Sequence, residues 1–363
     1  MPAITSDRLL NALEDVKDPD LGTSIVAMGM IKDIVIDGTK LAFTCELTTP
    51  ACPVKEVIEK DIRTKVSERL PEVTELNLTM TGKVRRLEVP ANNAAENLIP
   101  QIKNVILVGA GKGGVGKSTC SINLALALRK LGATVALLDA DIYGPSIPIM
   151  VGIHEKPRIA NENKINPLKA FGMELMSMGF LVEANQAMVW RGPILNGIMV
   201  QFFKDVTWSE ADYLVVDLPP GTGDVMLSIA QNCCTTGAVL VSTPQQVSVA
   251  DVVRAKAMFD QTKIPLLGLI ENMSGFTDPE TGKRVDIFSR GGGEKAASDM
   301  GIPFLGAIPI DPQVCVSGDA GIPIVESHPD SVASKAFIAA AEKLAAQISI
   351  RNFVGEAAMS PGS

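Results

Sequence analysis

The segment that most constrains the fold of this chain is a glycine-rich loop set between a short apolar run and a helical pattern. The run Ile106-Leu107-Val108 leads into the loop GKGGVGKS at residues 111–118, and a helical pattern extends from residue 117 to 131. A strand, a loop ending in Lys-Ser and a helix in this order are typical of a P-loop. Because ligand-binding loops of open α/β sheets leave the carboxyl ends of strands, the segment favours such a sheet.

Short apolar runs alternate with helical patterns along the rest of the chain. Since these runs are apolar on both faces, they predict strands of a parallel sheet that helices cover on both sides. The predicted strands lie at residues 105–108, 135–138, 213–216, 238–241 and 266–270. We therefore predict an α/β fold in which residues 102–350 form a doubly wound, mostly parallel-sheet P-loop domain. A flexible tail is predicted over residues 351–363.

The N-terminal part of the chain, residues 1–90, is predicted to be a separate small α/β domain. Strands at residues 31–36 and 40–47 meet at Asp37-Gly38, which is a hairpin signal. Pro53 is expected to open a helix that extends to about residue 70, because proline is tolerated at the first helical position. The polar segment at residues 91–101 shows no periodicity, so we place the linker there.

The charge and cysteine content argue against several classes of protein. The net charge of -8, from 33 basic and 41 acidic residues, gives no support to a protein that coats nucleic acid or an anionic membrane. No apolar stretch approaches the length of a membrane span, and the N-terminus lacks a signal-peptide pattern. The six cysteines do not form a disulfide framework. We expect a cytoplasmic protein with free thiols and with neither nucleic acid nor membrane as a partner.

The glycine-rich loop supplies the predicted phosphate-binding groups. Its glycines let backbone N–H groups converge on phosphate oxygens, and the helix dipole adds a favourable field. Lys117 would contact the β- and γ-phosphates, and Ser118 would ligate Mg²⁺. The predicted nucleotide-binding residues of this segment are Gly111, Lys112, Gly113, Gly114, Val115, Gly116, Lys117, Ser118 and Thr119.

Acidic residues follow two of the other predicted strands. Asp139 and Asp141 come after the strand at 135–138, and Asp217 comes after the strand at 213–216. Ligands of open α/β sheets bind at this edge, and a carboxylate such as Asp217 is suited to hold Mg²⁺ through water. A lone aspartate after a strand is more often a helix cap, but the combination with the P-loop favours a metal site.

The second lysine of the loop, Lys112, makes the sequence resemble the MinD/ParA/nitrogenase-iron-protein class. The resemblance implies a homodimer in which Lys112 reaches the phosphates of the partner subunit, as an arginine finger does. It also implies that Asp141 positions or deprotonates the attacking water, and that Asp139 lies nearer to the Mg²⁺. A solvated loop lysine is the alternative for Lys112. Lys112, Lys117 and Asp141 are the predicted catalytic residues of an ATPase.

Further motifs narrow the resemblance to the Mrp/ApbC family of iron–sulfur cluster carrier ATPases. The motifs are Asp217 to Asp224, Tyr143-Gly144-Pro145-Ser146, Trp190-Arg191-Gly192-Pro193, Thr243-Pro244-Gln245, Glu271-Asn272-Met273-Ser274 and Gly291-Gly292-Gly293. The resemblance implies that Asn272 contacts the adenine of ATP and that residues 309–312 close over the base. It also implies iron–sulfur assembly proteins or apo-protein acceptors as partners. Asp18-Pro19-Asp20 and the segment at residues 48–53 make the N-terminal unit similar to that family's accessory domain.

The sequence departs from that family at its usual cluster site. The family carries Cys-x-x-Cys after Glu-Asn-Met-Ser, and the two cysteine positions fall on Asp278 and Thr281 here. Oxygen ligands replace thiolates poorly in an iron–sulfur site. The sequence therefore leaves open whether a cluster is bound. The alternative is a metal-free regulatory or scaffold ATPase, a MinD/ParA-like dimerisation switch that has lost the cluster site.

Cys52 is the candidate cluster or redox thiol. We place it at the N-cap of the helix that Pro53 opens, where the helix dipole and free N–H groups would lower the pKa of a thiol. The alternative is a small, partly buried capping residue. The other cysteines are expected to be buried core residues or, for Cys233-Cys234, an adjacent pair that cannot easily chelate one metal.

Overall fold

The N-terminal domain is built on a three-stranded sheet. The computed structural model describes residues 3–86, 97–142, 144–160, 164–181, 192–221 and 223–359. Strands β1 and β2 pair antiparallel through the predicted turn at Asp37-Gly38, and β2 and β3 pair parallel, with α2 as the crossover. The elements of this domain are α1 (Ser6–Leu13), β1 (Ile31–Asp37), β2 (Lys40–Leu47), α2 (Lys55–Arg69) and β3 (Glu75–Gly82).

The core of this domain lies on one face of its sheet only. Side chains alternate along a strand, so β2 buries Leu41, Phe43, Cys45 and Leu47 on the same face. Helices α1 and α2 cover that face with their own buried side chains, which include Leu9, Leu13, Ile58 and Ile62. The strand predicted at residues 40–47 is therefore present, with one face buried in the core.

The second domain is built on an eight-stranded sheet in the order β13-β10-β9-β4-β8-β5-β7-β6. All neighbouring strands are parallel except β6 and β7, so the predicted mostly parallel sheet is confirmed. The elements are β4 (Ile102–Ala110), α3 (Lys117–Lys130), β5 (Val135–Asp139), α4 (Ile147–Met150), β6 (Leu168–Ala170), β7 (Met173–Ser177), α5 (Gly192–Lys204), β8 (Ala211–Asp217), α6 (Gly223–Asn232), β9 (Thr235–Ser242), α7 (Gln246–Gln261), β10 (Leu266–Glu271), β11 (Phe276–Thr277), β12 (Arg284–Val285), α8 (Gly292–Met300), β13 (Phe304–Ala307), α9 (Pro312–Asp319), α10 (Ile324–Ser327) and α11 (Val332–Met359).

Both faces of this sheet are buried, as the uninterrupted apolar strands predict. Ile106 and Val108 of β4 face a core formed with α3, α10 and α11, whereas Val105 and Leu107 face a core formed with α5, α6, α7 and α8. Fully burying one large apolar side chain contributes about 1.5–3 kcal/mol. The two cores therefore hold the strand ends, and the loops that follow them, in fixed positions.

The last helix is longer than the sequence pattern predicts. Helix α11 extends to Met359, so residues 351–359, which we predict to be tail, are helical. The short strands β6, β7 and β13 are likewise absent from the predicted set. The structure describes no helix that is long and apolar enough to cross a membrane.

The two domains contact each other through the loop that follows β2. In this loop, Thr49 and Ala51 are buried, and Thr49 Oγ1 lies 3.4 Å from the hydroxyl of Tyr213 on β8. Pro50 lies against Gly132, where a Cβ atom would be 3.4 Å from the proline ring. Because Tyr213 lies near the start of β8, this contact is at the amino edge of the large sheet, away from the P-loop.

The chain that leaves β3 is also fixed to the second domain. Asn104 Nδ2 and Asn352 Nδ2 both donate to the carbonyl oxygen of Arg85, at 2.9 and 3.0 Å. Asn352 Nδ2 also lies 3.0 Å from Asn104 Oδ1, and both asparagines are buried. Residues 87–96, which include most of the predicted linker, lie outside the described residues. Helix α11 therefore binds the end of the N-terminal domain through Asn352.

Candidate nucleotide-binding site

Three adjacent strands bring the predicted site residues together at the carboxyl edge of the large sheet. The P-loop follows β4, and Asp139 and Asp217 are the last residues of β5 and β8. In the sheet register, Asp217 pairs with Val108 on one side and with Asp139 on the other. Residues separated by about 100 positions in the sequence therefore share one site.

The glycines of the P-loop permit its backbone conformation. Gly114 and Gly116 have φ angles of 79° and 80°, which side chains other than glycine rarely adopt. A Cβ atom on Gly116 would lie 2.3 Å from Asn272 Nδ2. Helix α3 begins at Lys117 without a side-chain cap, so no capping side chain occupies its first N–H groups, which are the kind of donors that bind phosphate.

Lys117 lies between two carboxylates at the base of the loop. Its ammonium nitrogen is 2.8 Å from Asp217 Oδ1 and 3.8 Å from Asp141 Oδ2. Ser118 Oγ donates to Asp217 Oδ2 at 2.5 Å. Lys117 and Asp217 are both buried, so each charge depends on the other for compensation.

Ser121 is a site residue that the sequence reasoning missed. Its hydroxyl lies 2.6 Å from Asp217 Oδ1, and its side chain is buried. Residues three apart on a helix share a face, so Ser121 lies on the same side of α3 as Ser118. That spacing was a signal available in the sequence.

The oxygen groups around Asp217 fit a magnesium ion. Mg²⁺ prefers hydroxyl and carboxylate oxygens and usually keeps several waters. Ser118 and Asp217 present one oxygen of each kind in direct contact. The residues therefore suit the predicted ion, which Ser118 and Asp217 would hold.

Asp139 has a different environment from the one we predicted. One of its carboxylate oxygens accepts from the backbone N–H of Asp141 at 3.1 Å, and the other accepts from Ile147 N at 3.3 Å and Ser177 Oγ at 3.0 Å. Burial, and then the nearby charge of Asp217, raise the pKa of Asp139 well above its ordinary range. Because protein N–H and O–H groups donate to both of its oxygens, Asp139 stabilises the loop that carries Asp141. Its contact with Mg²⁺ stays a prediction.

Asp141 and Lys112 lie at the open side of the site. The Asp141 side chain is 13% exposed, and Asp141 Oδ1 accepts from Gly144 N at 3.3 Å. Lys112 is half-buried, and its ammonium group forms no ion pair within the described ranges. Asp141 is therefore within reach of a water molecule, as a catalytic base requires.

A cavity of about 390 Å³ opens beside the P-loop. Its walls include Gly116 and Thr119 of the P-loop region, and Asn272, whose Nδ2 donates to Val115 O at 2.9 Å. The predicted closing segment at residues 309–312 also lines it, together with Ile308. The remaining lining residues, which the sequence reasoning missed because they come from distant elements, include Met150, Met273, Phe288, Val314 and Cys315. The cavity has the position and apolar walls expected for a nucleotide base.

The segment that replaces the Cys-x-x-Cys motif forms a self-closed turn. Strands β11 and β12 pair on either side of it. Asp278 Oδ1 accepts from the N–H groups of Glu280 and Thr281, at 2.8 and 3.2 Å, and these bonds lower the pKa of the Asp278 carboxyl. Thr281 Oγ1 in turn accepts from Lys283 N at 3.4 Å. Both side chains are thus used to hold the turn.

The expected environment of Cys52 is wrong. Helix α2 begins at Lys55 with Val54 as its N-cap, so Cys52 lies outside the helix. Burial raises the pKa of the Cys52 thiol to about 11, and the carboxylates of Asp18 and Glu342 act in the same direction. Cys52 is therefore a neutral thiol rather than an activated one. Within the described ranges, no group of three or more His, Cys, Asp or Glu side chains is arranged to hold a metal ion.

Two family models match the two domains. The model of the NUBPL iron-transfer P-loop NTPase matches residues 101–345, and the model of the iron–sulfur cluster assembly protein matches residues 6–78. The iron–sulfur cluster carrier protein of Deinococcus radiodurans is 47% identical over 95% of this chain and 96% of its own length. The protein of the same name from Synechocystis is 42% identical over 97% of this chain and 100% of its own length.

Solved structures agree with this assignment. A nucleotide-binding protein from Archaeoglobus fulgidus, in complex with ADP, is 39% identical with a TM-score of 0.54, over 61% of this chain and 87% of that one. The cell division ATPase MinD of Pyrococcus furiosus, at 23% identity and a TM-score of 0.50 over 66% of this chain and 97% of that one, supports the fold alone. The resemblance inferred from the motifs is confirmed, and the chain belongs to the family of NUBPL iron-transfer P-loop NTPases.

Proposed function

We propose that this protein is a Mg²⁺-dependent ATPase that acts in the cytoplasm as a homodimer and carries or helps to assemble iron–sulfur clusters for other proteins. The observation that carries the proposal is the convergence of Lys117, Ser118, Asp141 and Asp217 beside a base-sized cavity. Family membership supports the cargo, because the relatives are named as iron–sulfur cluster carriers. The free cysteines fit a reducing compartment.

The site residues divide the chemistry of hydrolysis among them. Lys117 neutralises the β- and γ-phosphates, and the N–H groups of the loop hold their oxygens. Ser118 and Asp217 would hold the Mg²⁺, which supplies further neutralisation of phosphate charge when bound. Asp141 orients the attacking water and accepts its proton. Lys112 of the partner subunit would then stabilise the charge that develops on the transferred phosphoryl group.

A second candidate function is a metal-free regulatory or scaffold ATPase. The observation that favours it is the turn in which Asp278 and Thr281 are engaged with backbone N–H groups. A dimer built from this chain lacks the four thiolates that two Cys-x-x-Cys motifs would supply. If a cluster is carried, it depends on other ligands, of which Cys52 is our first candidate despite its raised pKa.

Subunit mixing tests the dimer and the catalytic roles together. A Lys112→Ala subunit and an Asp141→Asn subunit, each inactive alone, should recover part of the activity when mixed, because one composite site keeps both groups. Each variant mixed with itself is the control. No recovery despite heterodimers seen by native mass spectrometry would show that Lys112 does not act in trans.

Anaerobic reconstitution with iron and sulfide distinguishes the two candidate functions. We expect at most a labile cluster in the wild type, its loss in Cys52→Ser, and a more stable cluster in the double variant Asp278→Cys and Thr281→Cys. Iron and sulfide per dimer and the visible spectrum are the measurements. A stable four-iron cluster that survives Cys52→Ser would contradict this ligand assignment, whereas no iron binding in the wild type would favour the metal-free ATPase.

A further inference from the structure

A buried carboxylate joins two of the loops next to the base cavity. Glu271, the last residue of β10, is 1% exposed. Its Oε1 accepts from Ser274 Oγ and its Oε2 accepts from Gly293 N, each at 2.6 Å. We propose that Glu271 is a positioning residue that holds the base-binding turn at residues 272–274 and thereby sets affinity for the base of the nucleotide. This inference rests on the nucleotide site proposed above.

The turn that Glu271 holds has a backbone conformation that needs outside support. Met273 has a φ angle of 58°, which is uncommon for a residue other than glycine. Asn272 N donates to Ser242 O at 2.7 Å, and Ser274 N donates to Ile308 O at 2.8 Å. Within the turn itself, the Ser274 hydroxyl is the group that Glu271 holds. Asn272 and Met273 both line the cavity, so the bonds to this turn fix part of its wall.

Asn272 lies between the base-binding turn and the P-loop and contacts both. Its side-chain nitrogen donates to Val115 O at 2.9 Å, and Gly116 leaves the room for that approach. The base-binding turn and the phosphate-binding loop are thus in contact through one amide. Because Asn272 also lines the cavity, we expect loss of the Glu271 bonds to affect the base side of this turn more than the P-loop.

Two of the three consecutive glycines at residues 291–293 allow the close contact between α8 and Glu271. A Cβ atom on Gly293 would lie 2.9 Å from Glu271 Cβ, and a Cβ atom on Gly292 would lie 2.2 Å from Pro244 O. Only glycine therefore lets the first turn of α8 approach the carboxylate. The negative charge of Glu271 also interacts favourably with the amino end of this helix.

The two hydrogen bonds of Glu271 have partners of different kinds, and this difference predicts how strongly each substitution weakens ATP binding. Gly293 N–H can only donate, whereas the Ser274 hydroxyl can donate or accept. A glutamine at position 271 keeps both bonds if its oxygen faces Gly293 and its amide donates to Ser274. An alanine keeps neither bond. The double variant Glu271→Gln with Ser274→Ala keeps one bond and leaves a buried amide unpaired, which is costly.

Isothermal titration of the full-length protein with Mg·ATP and with Mg·tripolyphosphate tests the proposal. For Glu271→Ala we expect the Kd for ATP to rise by about tenfold, as befits the loss of buried charge-assisted bonds. The Kd for tripolyphosphate, which has no base, should change much less. Glu271→Gln should remain close to the wild type, and Glu271→Gln with Ser274→Ala should resemble the alanine variant. Glu294→Gln is the matched control, because it removes an exposed carboxylate from the same helix turn.

Irreversibly misfolded protein lowers the titration stoichiometry, whereas reversible unfolding would raise the Kd for ATP and for tripolyphosphate alike, so the comparison of the two ligands controls for it. An unchanged Kd for ATP in both Glu271→Ala and the double variant would overturn the proposal. An equal loss for ATP and tripolyphosphate would also overturn it, because Glu271 would then support the P-loop and not the base pocket. If the wild type binds ATP no more tightly than tripolyphosphate, the base pocket is refuted, but the phosphate site is not. A wild type that binds neither ligand would refute the proposed function as well.

Discussion

The two domains use their motif-bearing loops in opposite ways. In the P-loop domain, the loops that follow β4, β5 and β8 leave the carboxyl edge of the sheet and surround a site that is open to a ligand. In the N-terminal domain, the loop after β2 also leaves the carboxyl end of a strand, but its residues Thr49 and Ala51 are buried in contact with the other domain. A loop with a family signature can therefore be a docking surface rather than a reactive site.

The electrostatics of the two loops follow from this difference. At the P-loop site, Lys117 pairs with Asp217 at 2.8 Å, so two charged groups lie buried together. In the loop after β2, burial and the nearby carboxylates of Asp18 and Glu342 raise the pKa of the Cys52 thiol, so this thiol stays neutral. Substitutions in the two loops should consequently affect different measurements.

The largest effect is expected at Asp141. Asp141→Asn should slow ATP hydrolysis by about 10² to 10⁴ while the Kd for ATP changes little, because a general base acts on the reaction and not on binding. Single-turnover kinetics and equilibrium titration separate the two quantities. Asp299→Asn, an exposed carboxyl on α8, is the control. An unchanged rate would place the base elsewhere and weaken the contrast between the two loops.

A smaller effect, on binding, is expected at Lys117. Lys117→Ala should weaken ATP binding by about 100-fold, because the phosphates lose a charge-assisted contact. The melting temperature should also fall, since Asp217 loses the ion pair that compensates its burial. Lys295→Ala, on the exposed part of α8, is the control. Wild-type affinity in Lys117→Ala would refute the assignment of the phosphate site.

The reactivity of Cys52 tests what the comparison says about the loop of the N-terminal domain. A thiol with a pKa of about 11 should gain reactivity with a disulfide reagent up to that pH, whereas a free thiol levels off near 8.5. At pH 8 the rate should be roughly tenfold below that of a free thiol, because the lower thiolate fraction outweighs the stronger nucleophile. The measurement uses Cys234→Ser with Cys315→Ser as the background. A plateau near pH 8.5 would contradict the raised pKa, and a plateau well below that pH would restore Cys52 as an activated thiol.

The smallest effect is expected at the docking contact itself. Tyr213→Phe should lower the free energy of unfolding by about 0.5–1 kcal/mol, because it removes one weak buried hydroxyl contact of 3.4 Å. ATP hydrolysis should not change. A double-mutant cycle with Thr49→Val isolates the contact between the two hydroxyl groups. Strict additivity of the two substitutions would mean that this pair contributes nothing to docking.

The sequence predicted those features that depend on local patterns. The hairpin at Asp37-Gly38 and the strand before the P-loop are read from a few neighbouring residues, and both are present. Glu271 and the apolar lining of the base cavity were missed because tertiary packing brings them to the site. The environment of Cys52 was misjudged for the same reason, since no local pattern shows that the loop is buried against Tyr213.

Two helix boundaries were also predicted wrongly from the sequence. Pro53 favours a helix start, yet α2 begins only at Lys55, and the loop before it contacts the second domain through Thr49 and Ala51. At the other end of the chain, Asn352 is buried and bonded to Arg85, which explains why α11 continues past the predicted tail boundary. In both places a contact with distant residues overrides the local signal.

The ion pair between Lys117 and Asp217 implies that a nucleotide and the proposed Mg²⁺ would bind cooperatively. While the ammonium group lies 2.8 Å from Asp217, it repels a cation from that carboxylate. Phosphate oxygens attract the same ammonium group, so a nucleotide that draws Lys117 away makes Asp217 a better ligand for the ion. By thermodynamic linkage, the ion must then raise affinity for the nucleotide by the same factor. Lys117 would in this way make the protein respond to the Mg²⁺–nucleotide complex more strongly than to either component alone.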